Sequence, residues 1–278
     1  MTIKPNPFLL QGTALISFSG GRTSARMLKA IIDAHGGRLP ENIVVAFANT
    51  GKEREETLRF VHECGMRWGI HIYWIEWCAE APGFEIVGYN SASRDGEPFA
   101  ALIEKKKRVP NWKERWCTQF LKVLPMFSLM RSLGHGEPGN YLEAIGLRDD
   151  EGIRILNGLE NAEKHGRRVI YPLAKAKMRK DDINAFWAEQ DFDLQLPRGV
   201  GNCTHCFAMA RADRINRIRL HPDDLPWWLD KEARFGRFDR RDSMQKLVDE
   251  ARRAPTFFED DWEPSDSECG VACAGEPV

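Results

Sequence analysis

The order of apolar runs and amphipathic segments predicts an α/β protein: a parallel twisted sheet with helices on both faces, followed by a helical C-terminal region. Two observations carry this. Strand-like runs over 14–18, 43–48 and 70–77 alternate with helical patterns over 24–35 and 55–68. The first run also passes straight into Ser17-Phe18-Ser19-Gly20-Gly21-Arg22-Thr23-Ser24, a glycine turn that opens the first helix. Right-handed crossovers then follow from strand twist, and ligands belong beyond the carboxyl ends of the strands. The glycine turn and Asn49-Thr50-Gly51, after the second strand, both fall on that edge. Small residues there let an anion approach the backbone, and the helix start would aim its amides at a phosphate.

Further along, residues 82–108 read as irregular, with Gly83, Gly88, Gly96 and Pro98, and end in Glu104-Lys105-Lys106-Lys107-Arg108. That run suits a solvated helix end or a phosphate-contacting patch. The stretch from Asn111 to Lys122 leads into a helix ending near Leu133-Gly134, and 141–146 reads as another strand. Leu147-Arg148-Asp149-Asp150-Glu151 follows it, placing Arg148, Glu151 and Arg154 at the same edge, as a surface ion-pair cluster or an anion grip. A helix over 180–190 has Asp181 or Asp182 at its start as a cap. Two basic helices follow, over 208–219 and 243–253, and the end from Glu259 is acidic and loosely ordered in expectation. The domain division expected is 1–200 for the α/β part, 201–258 for a helical extension, and 259–278 for a flexible tail.

The chain has 278 residues, a formal net charge of −1 and 42% hydrophobic residues, enough for a full core and against a bulk nucleic-acid coat protein. The first ten residues show no secretory pattern and no run reaches a membrane span, so a cytoplasmic location and no membrane partner are expected. Seven cysteines in this setting do not suggest a disulfide framework. Cys64 and Cys78 read as packing residues. Cys203-x-x-Cys206 is a clip suited to a cluster, to zinc with two further thiolates, or to no metal at all.

Four local patterns stand in order along the chain: Ser19-Gly20-Gly21-Arg22-Thr23-Ser24; Phe47-Ala48-Asn49-Thr50-Gly51 with Glu56-Thr57; Cys117 with Leu121-Lys122 and Pro125; and Gly146-Leu147-Arg148-Asp149-Asp150-Glu151 with Arg154. Together they resemble the phosphoadenosine phosphosulfate reductase family, within the PP-loop, adenine nucleotide alpha-hydrolase-like proteins of Rossmann-like fold. The resemblance spans residues 13 to 207. It departs at Thr23 and Asn49, where relatives carry Asp. It implies an adenine nucleotide (PAPS, APS or ATP, with or without Mg) on Ser17, Ser19 to Ser24 and Asn49 to Gly51, with Arg148 and Arg154 holding sulfate or phosphate oxygens. It also implies a [4Fe–4S] cluster on Cys117, Cys203 and Cys206, with Cys273 or Cys269 as a further ligand, and zinc as the alternative. Ser267-Glu268-Cys269-Gly270-Val271 resembles the family's reactive tail, which makes Cys269 a candidate nucleophile regenerated by a thiol donor such as thioredoxin.

Three functions follow as expectations: a sulfonucleotide-reductase-like oxidoreductase; an ATP-dependent sulfur inserter acting on tRNA or DNA; and a non-catalytic nucleotide- or cluster-binding regulator. For the second, Arg211, Arg214, Arg217 and Arg219, with Arg237, Arg240 and Arg241, would offer a nucleic-acid face, or would simply meet solvent.

Overall fold

A computed structural model describes residues 5–196 and 200–253. At its centre lie six strands: β1 (Ala14–Ser17), β2 (Ile43–Asn49), β3 (Tyr73–Trp77), β4 (Phe84–Val87), β5 (Leu142–Ile145) and β6 (Arg168–Ile170). They form one sheet in the order β4-β3-β2-β1-β5-β6. Every neighbouring pair is parallel except β3 and β4. β1 is therefore the central strand from which the chain builds outward in both directions, the arrangement that opens a crevice at its carboxyl end.

Side-chain alternation on the central strands divides the core. Ile16, Val45 and Phe47 pack with Met27, Leu28 and Ile31 of α1 (Arg22–Ala34) and with Leu58 and Val61 of α2 (Glu55–Trp68). Leu15, Val44 and Ala46 face the other way, toward Met126, Leu129 and Met130. β2 is buried along its whole length, which is why it reads as an unbroken apolar run. The helix expected over 55–68 is the observed α2, ended by Gly69 at φ +61. Cys64 is fully buried in this core.

The stretch 82–108 is not irregular: it carries β4 and α3 (Glu97–Lys106). β4 escapes a periodicity reading because it is four residues long, antiparallel at the sheet edge, with only Phe84 buried. The flanking glycines mask α3, although Phe99, Leu102 and Ile103 share its inner face. After it, α4 (Trp116–Thr118) runs through a π-helical turn (Gln119–Val123) into α5 (Leu124–Ser132). Then come α6 (Gly152–Lys164), α7 (Pro172–Lys175) and α8 (Lys180–Ala188). Asp182 caps α8, accepting from the Arg179 amide at 2.7 Å.

The helical C-terminal part comprises α9 (Arg211–Leu220), α10 (Leu225–Phe235) and α11 (Met244–Arg253). Its Trp228, Phe238, Met244 and Leu247 share one apolar cluster with Phe99, Leu102 and Ile103 of α3 and with Trp116 and Leu121. The helical part is thus packed against the segments that follow β3, above the sheet edge where the candidate loops lie. Among the described residues, no helix is long and apolar enough to cross a membrane.

Candidate site at the carboxyl edge of the sheet

The glycine turn follows β1 directly, and α1 starts at Arg22 with no side-chain cap and no acidic residue in its first turn. Its leading amides and positive dipole end are therefore available for an anion. Ser24 holds the turn's shape: its hydroxyl donates to the Gly21 carbonyl (3.0 Å) and accepts from the Ser19 amide (3.3 Å). Gly20 has φ +77, and a Cβ there would lie 2.7 Å from Thr57 Cγ2, so the turn can sit this close to α2 only with glycine. Ser17 is buried, its hydroxyl donating to Met126 Sδ at 3.4 Å. The Arg22 side chain leaves the turn sideways to pair with Asp193, its Nε donating at 2.7 Å.

The loop after β5 abuts the same turn. A Cβ on Gly146 would come within 2.9 Å of Ser24 Cα, so glycine is again the residue that allows contact. Arg148 is buried and donates from Nη1 to Thr23 Oγ1 at 3.2 Å and from Nε to Asp150 Oδ1 at 3.1 Å. Its amide donates to Glu151 Oε2 at 2.9 Å, and Glu151 also takes the Arg154 guanidinium. The hydroxyl of Thr23 is thus a joint between two loops at the α1 start.

The turn after β2 is organised by an acid inside the sheet. Glu76, 1% exposed on β3, accepts from Asn49 Nδ2 (2.6 Å) and from the amide (2.7 Å) and hydroxyl (2.6 Å) of Ser93. Asn49 also donates to the Ser93 carbonyl (2.8 Å) and accepts from the Gly51 amide (3.1 Å). Its side chain is fully engaged in shaping the turn. An amide suits this position because a carboxylate would face Glu76. Thr50 Oγ1 donates to Glu53 Oε1 at 3.2 Å.

The cysteine clip docks on this turn through the backbone. Arg54 N donates to Asn202 O (2.8 Å), Thr204 N donates to Lys52 O (2.9 Å), and Glu53 and Cys203 form an antiparallel bridge between them. Asn202 Nδ2 reaches on to the Ser19 carbonyl at 2.8 Å, joining the clip to the glycine turn. Behind it, Trp228 Nε1 donates to Thr204 Oγ1 (3.1 Å) and Arg217 Nη1 to Cys203 O (3.0 Å). Within the clip, His205 is 2% exposed at φ +39, and burial pushes its imidazole down to about 3. It is neutral at ordinary pH. Burial also pushes the Arg217 guanidinium down to about 10, offset in part by the Cys206 and Cys203 sulfurs and Asp213.

Cys117 borders the same apolar cluster as Cys203, and Lys122, five residues on, donates to the buried Glu53 at 2.9 Å. Among the described residues, no three His, Cys, Asp or Glu side chains are grouped to hold a metal ion. The buried Arg217 guanidinium, donating to the Cys203 carbonyl, sets a cation behind the clip, a setting that suits thiolate ligation. Cys269 and Cys273 lie outside the described residues.

Of the α9 arginines, Arg214 and Arg217 are buried, whereas Arg211 is 45% exposed and, like Arg219, engaged with neighbouring groups; Arg237, Arg240 and Arg241 are exposed. Arg211 pairs with Asp242 (2.8 Å) and Glu250 (2.8 Å), and buried Arg214 with Asp239 (2.7 Å). Arg219 donates to the Ala251 carbonyl at 3.2 Å, so these side chains bind α9 to α11 and its approach. In the lysine run, Lys106 lies 3.6 Å over the Phe120 ring and Lys107 reaches Glu104 at 3.4 Å. Sequence reasoning missed Glu53, Glu76 and Asn202. A carboxylate inside the apolar run Tyr73-Trp74-Ile75-Glu76-Trp77 was the one available signal, because a buried acid needs partners.

No family model matches the chain. Over 200 residues, 69% of the chain, it is 32% identical to the uncharacterized nin region protein ORF290 of Escherichia phage lambda. The chain spans 64% of that relative's length.

Two predictions test the site's construction. Asn49→Asp sets a second carboxylate against buried Glu76 and is expected to cost about 3 kcal/mol in urea unfolding at neutral pH. His205 titrates lower folded than unfolded, so the unfolded chain binds the additional proton between about pH 6.5 and about 3. Its contribution is complete above that window and declines as pH drops through it. Unfolding of His205→Gln should show a shallower acid slope than the parent.

Proposed function

We propose that this chain is a nucleotide-dependent sulfur-handling enzyme of the sulfonucleotide-reductase type. One observation carries the reading: the uncapped start of α1, at the end of the central strand, is joined to a Cys-x-x-Cys turn by the Asn202–Ser19 hydrogen bond. An anion-binding helix start and a thiol pair at one crevice suit a substrate whose phosphate is bound while its sulfur reacts. The sequence resemblance supports the same substrate class, an adenine sulfonucleotide.

In this reading the amides of Gly21 to Ser24 take phosphate oxygens. Arg148, held against Thr23, and Arg154, held by Glu151, supply positive charge beside them. Asn49 keeps the neighbouring turn in shape rather than touching the ligand. Cys203 and Cys206 would supply two thiolates to an iron–sulfur cluster, or to zinc; Cys117 is the third ligand that the resemblance implies, although the three are not grouped in this structure. Such a group would supply a metal centre able to polarise an anionic substrate.

The Cys269 thiolate attacks the sulfonate sulfur. An S–S bond forms as the S–O bond to the nucleotide phosphate breaks, and the nucleotide leaves with the electron pair. A dithiol donor then attacks Cys269 Sγ, sulfite leaves with the S–S pair, and closure of the donor's disulfide returns Cys269 as a thiol. Two electrons from the dithiol thus reduce sulfur from the sulfate to the sulfite level. Burial of Arg214 and Arg217 withdraws two of the arginines that a nucleic-acid face would use, which favours this reading over a nucleic-acid substrate.

Anaerobically purified protein, offered PAPS or APS with thioredoxin, is expected to release sulfite. Cys269→Ser should abolish release while nucleotide still binds, and Cys206→Ser should remove any visible cluster absorption. Pyrophosphate release from ATP with RNA or DNA, and no sulfite from either sulfonucleotide, overturns the reading in favour of sulfur insertion. Tight nucleotide binding with neither product overturns it in favour of a regulator.

A further inference from the structure

Helix α6 is covered on one side only. Of its thirteen residues only Ala162 is buried, while Ile153, Leu156 and Leu159 are 77%, 67% and 44% exposed. On the inner side Gly158 rests against the Tyr171 hydroxyl, where a side chain would not fit. The three exposed residues recur every third position, so they form one apolar stripe along the outer face. Alongside runs β6, the last strand in the sheet order, with no strand partner on its outer edge among the described residues.

We propose that α6 is a self-association surface, and that its occupant is the α6 of a second copy of this chain, antiparallel about a two-fold axis at Leu156. The stripe is symmetric about that residue. Ile153 and Leu159 lie equally far from it on either side, so an isologous pair sets Ile153 against the partner copy's Leu159 and Leu156 against itself.

The charges agree with the same register. Glu160 falls opposite Gly152, where the first turn of the facing helix carries no acidic residue and presents its positive dipole end. Glu163 falls opposite Asp149, which already holds Lys177 at 3.0 Å and Arg179 at 3.8 Å. Those two cations outnumber the one acid between them, leaving net positive charge for Glu163 to meet. Lys177 and Arg179 are 80% and 72% exposed, as outward partners should be. Parallel pairing would bring Glu160 and Glu163 against their own copies and lose both matches.

A thirteen-residue helix is about 20 Å long, so the helix seam alone falls short of the ~800 Å² per partner of a standard interface. The dimer is accordingly of micromolar strength. Because α6 begins four residues after Arg148, the two copies would meet beside their candidate sites.

Sedimentation velocity of the full chain, from roughly 1 to 100 μM, tests this. The expected result is a reversible monomer–dimer equilibrium, weakened about 100-fold or more by Leu156→Glu, which sets two carboxylates on the axis. Leu156→Met should leave the dimer intact, and circular dichroism should be the same for both variants. Under mild oxidation, Leu156→Cys should form a covalent dimer that the parent does not. Ile153→Cys should cross-link only when mixed with Leu159→Cys. A parent that stays monomeric throughout, a dimer indifferent to Leu156→Glu, or cross-linking of Ile153→Cys with itself would overturn the proposal.

Discussion

The short antiparallel clasp between residues 52–54 and 202–204 sets the geometry of the whole carboxyl edge. Two backbone hydrogen bonds, Arg54 N to Asn202 O and Thr204 N to Lys52 O, are enough to fix the register of two segments far apart in the chain. They carry weight because residues 52–54 and Thr204 are buried and Asn202 half-buried, where an unmade backbone bond leaves a desolvated donor or acceptor behind. Once the register is fixed, Asn202 falls beside Ser19, Cys203 beside Glu53, and Thr204 beneath Trp228. The glycine turn, the thiol clip and the C-terminal helices thereby become parts of one assembly.

Around the clasp, many buried polar groups are paired through carboxylates that sequence reading passed over, although Glu53 Oε2 and His205 Nδ1 have no hydrogen-bond partner among the described residues. Glu76 collects three donors and so ties the tip of β2 to the loop before α3. Glu53 is likewise sealed, joining Thr50 and Lys122 and so linking the turn after β2 to the cysteine-bearing segment 117–122. Removing one partner from such a network leaves an uncompensated buried charge, which costs several times what a surface pair is worth. The residues at positions 23 and 49, where the resembled pattern has Asp, make physical sense here. Thr23 accepts from Arg148, and Asn49 donates to Glu76. Both positions serve the joints between loops.

Much of the architecture is legible in the sequence because central parallel strands are buried on both faces. The run Ile43–Asn49 could scarcely be read otherwise, and α2 is bounded by Glu55 and Gly69 as its pattern requires. β4 was hidden because an edge strand with Glu85 and Ile86 exposed has neither an apolar run nor clean alternation. The convergence of the loops after β1, β2 and β5 was legible from topology alone, since parallel strands end on one edge. The clasp was not, because a backbone ladder two residues wide leaves no signature in side-chain pattern. Nor was the direction of the α9 arginines. Arg211 and Arg214 lie on one helical face with acids nearby in sequence, a pattern equally consistent with solvent, nucleic acid or the interior. Asp239 draws Arg214 inside, while Asp242 and Glu250 pair with an Arg211 that stays exposed.

If the glycine turn and the cysteine clip form one site, a ligand bound to the first must be felt at the second through Asn202 and the clasp. Amide hydrogen exchange with and without adenosine 3′,5′-bisphosphate measures this directly. The account predicts slowed exchange at residues 19–24 together with 52–54 and 202–206, with both of the latter effects lost in Asn202→Ala while protection of 19–24 persists. Protection confined to 19–24 in the parent protein, or no protection at all, would contradict it.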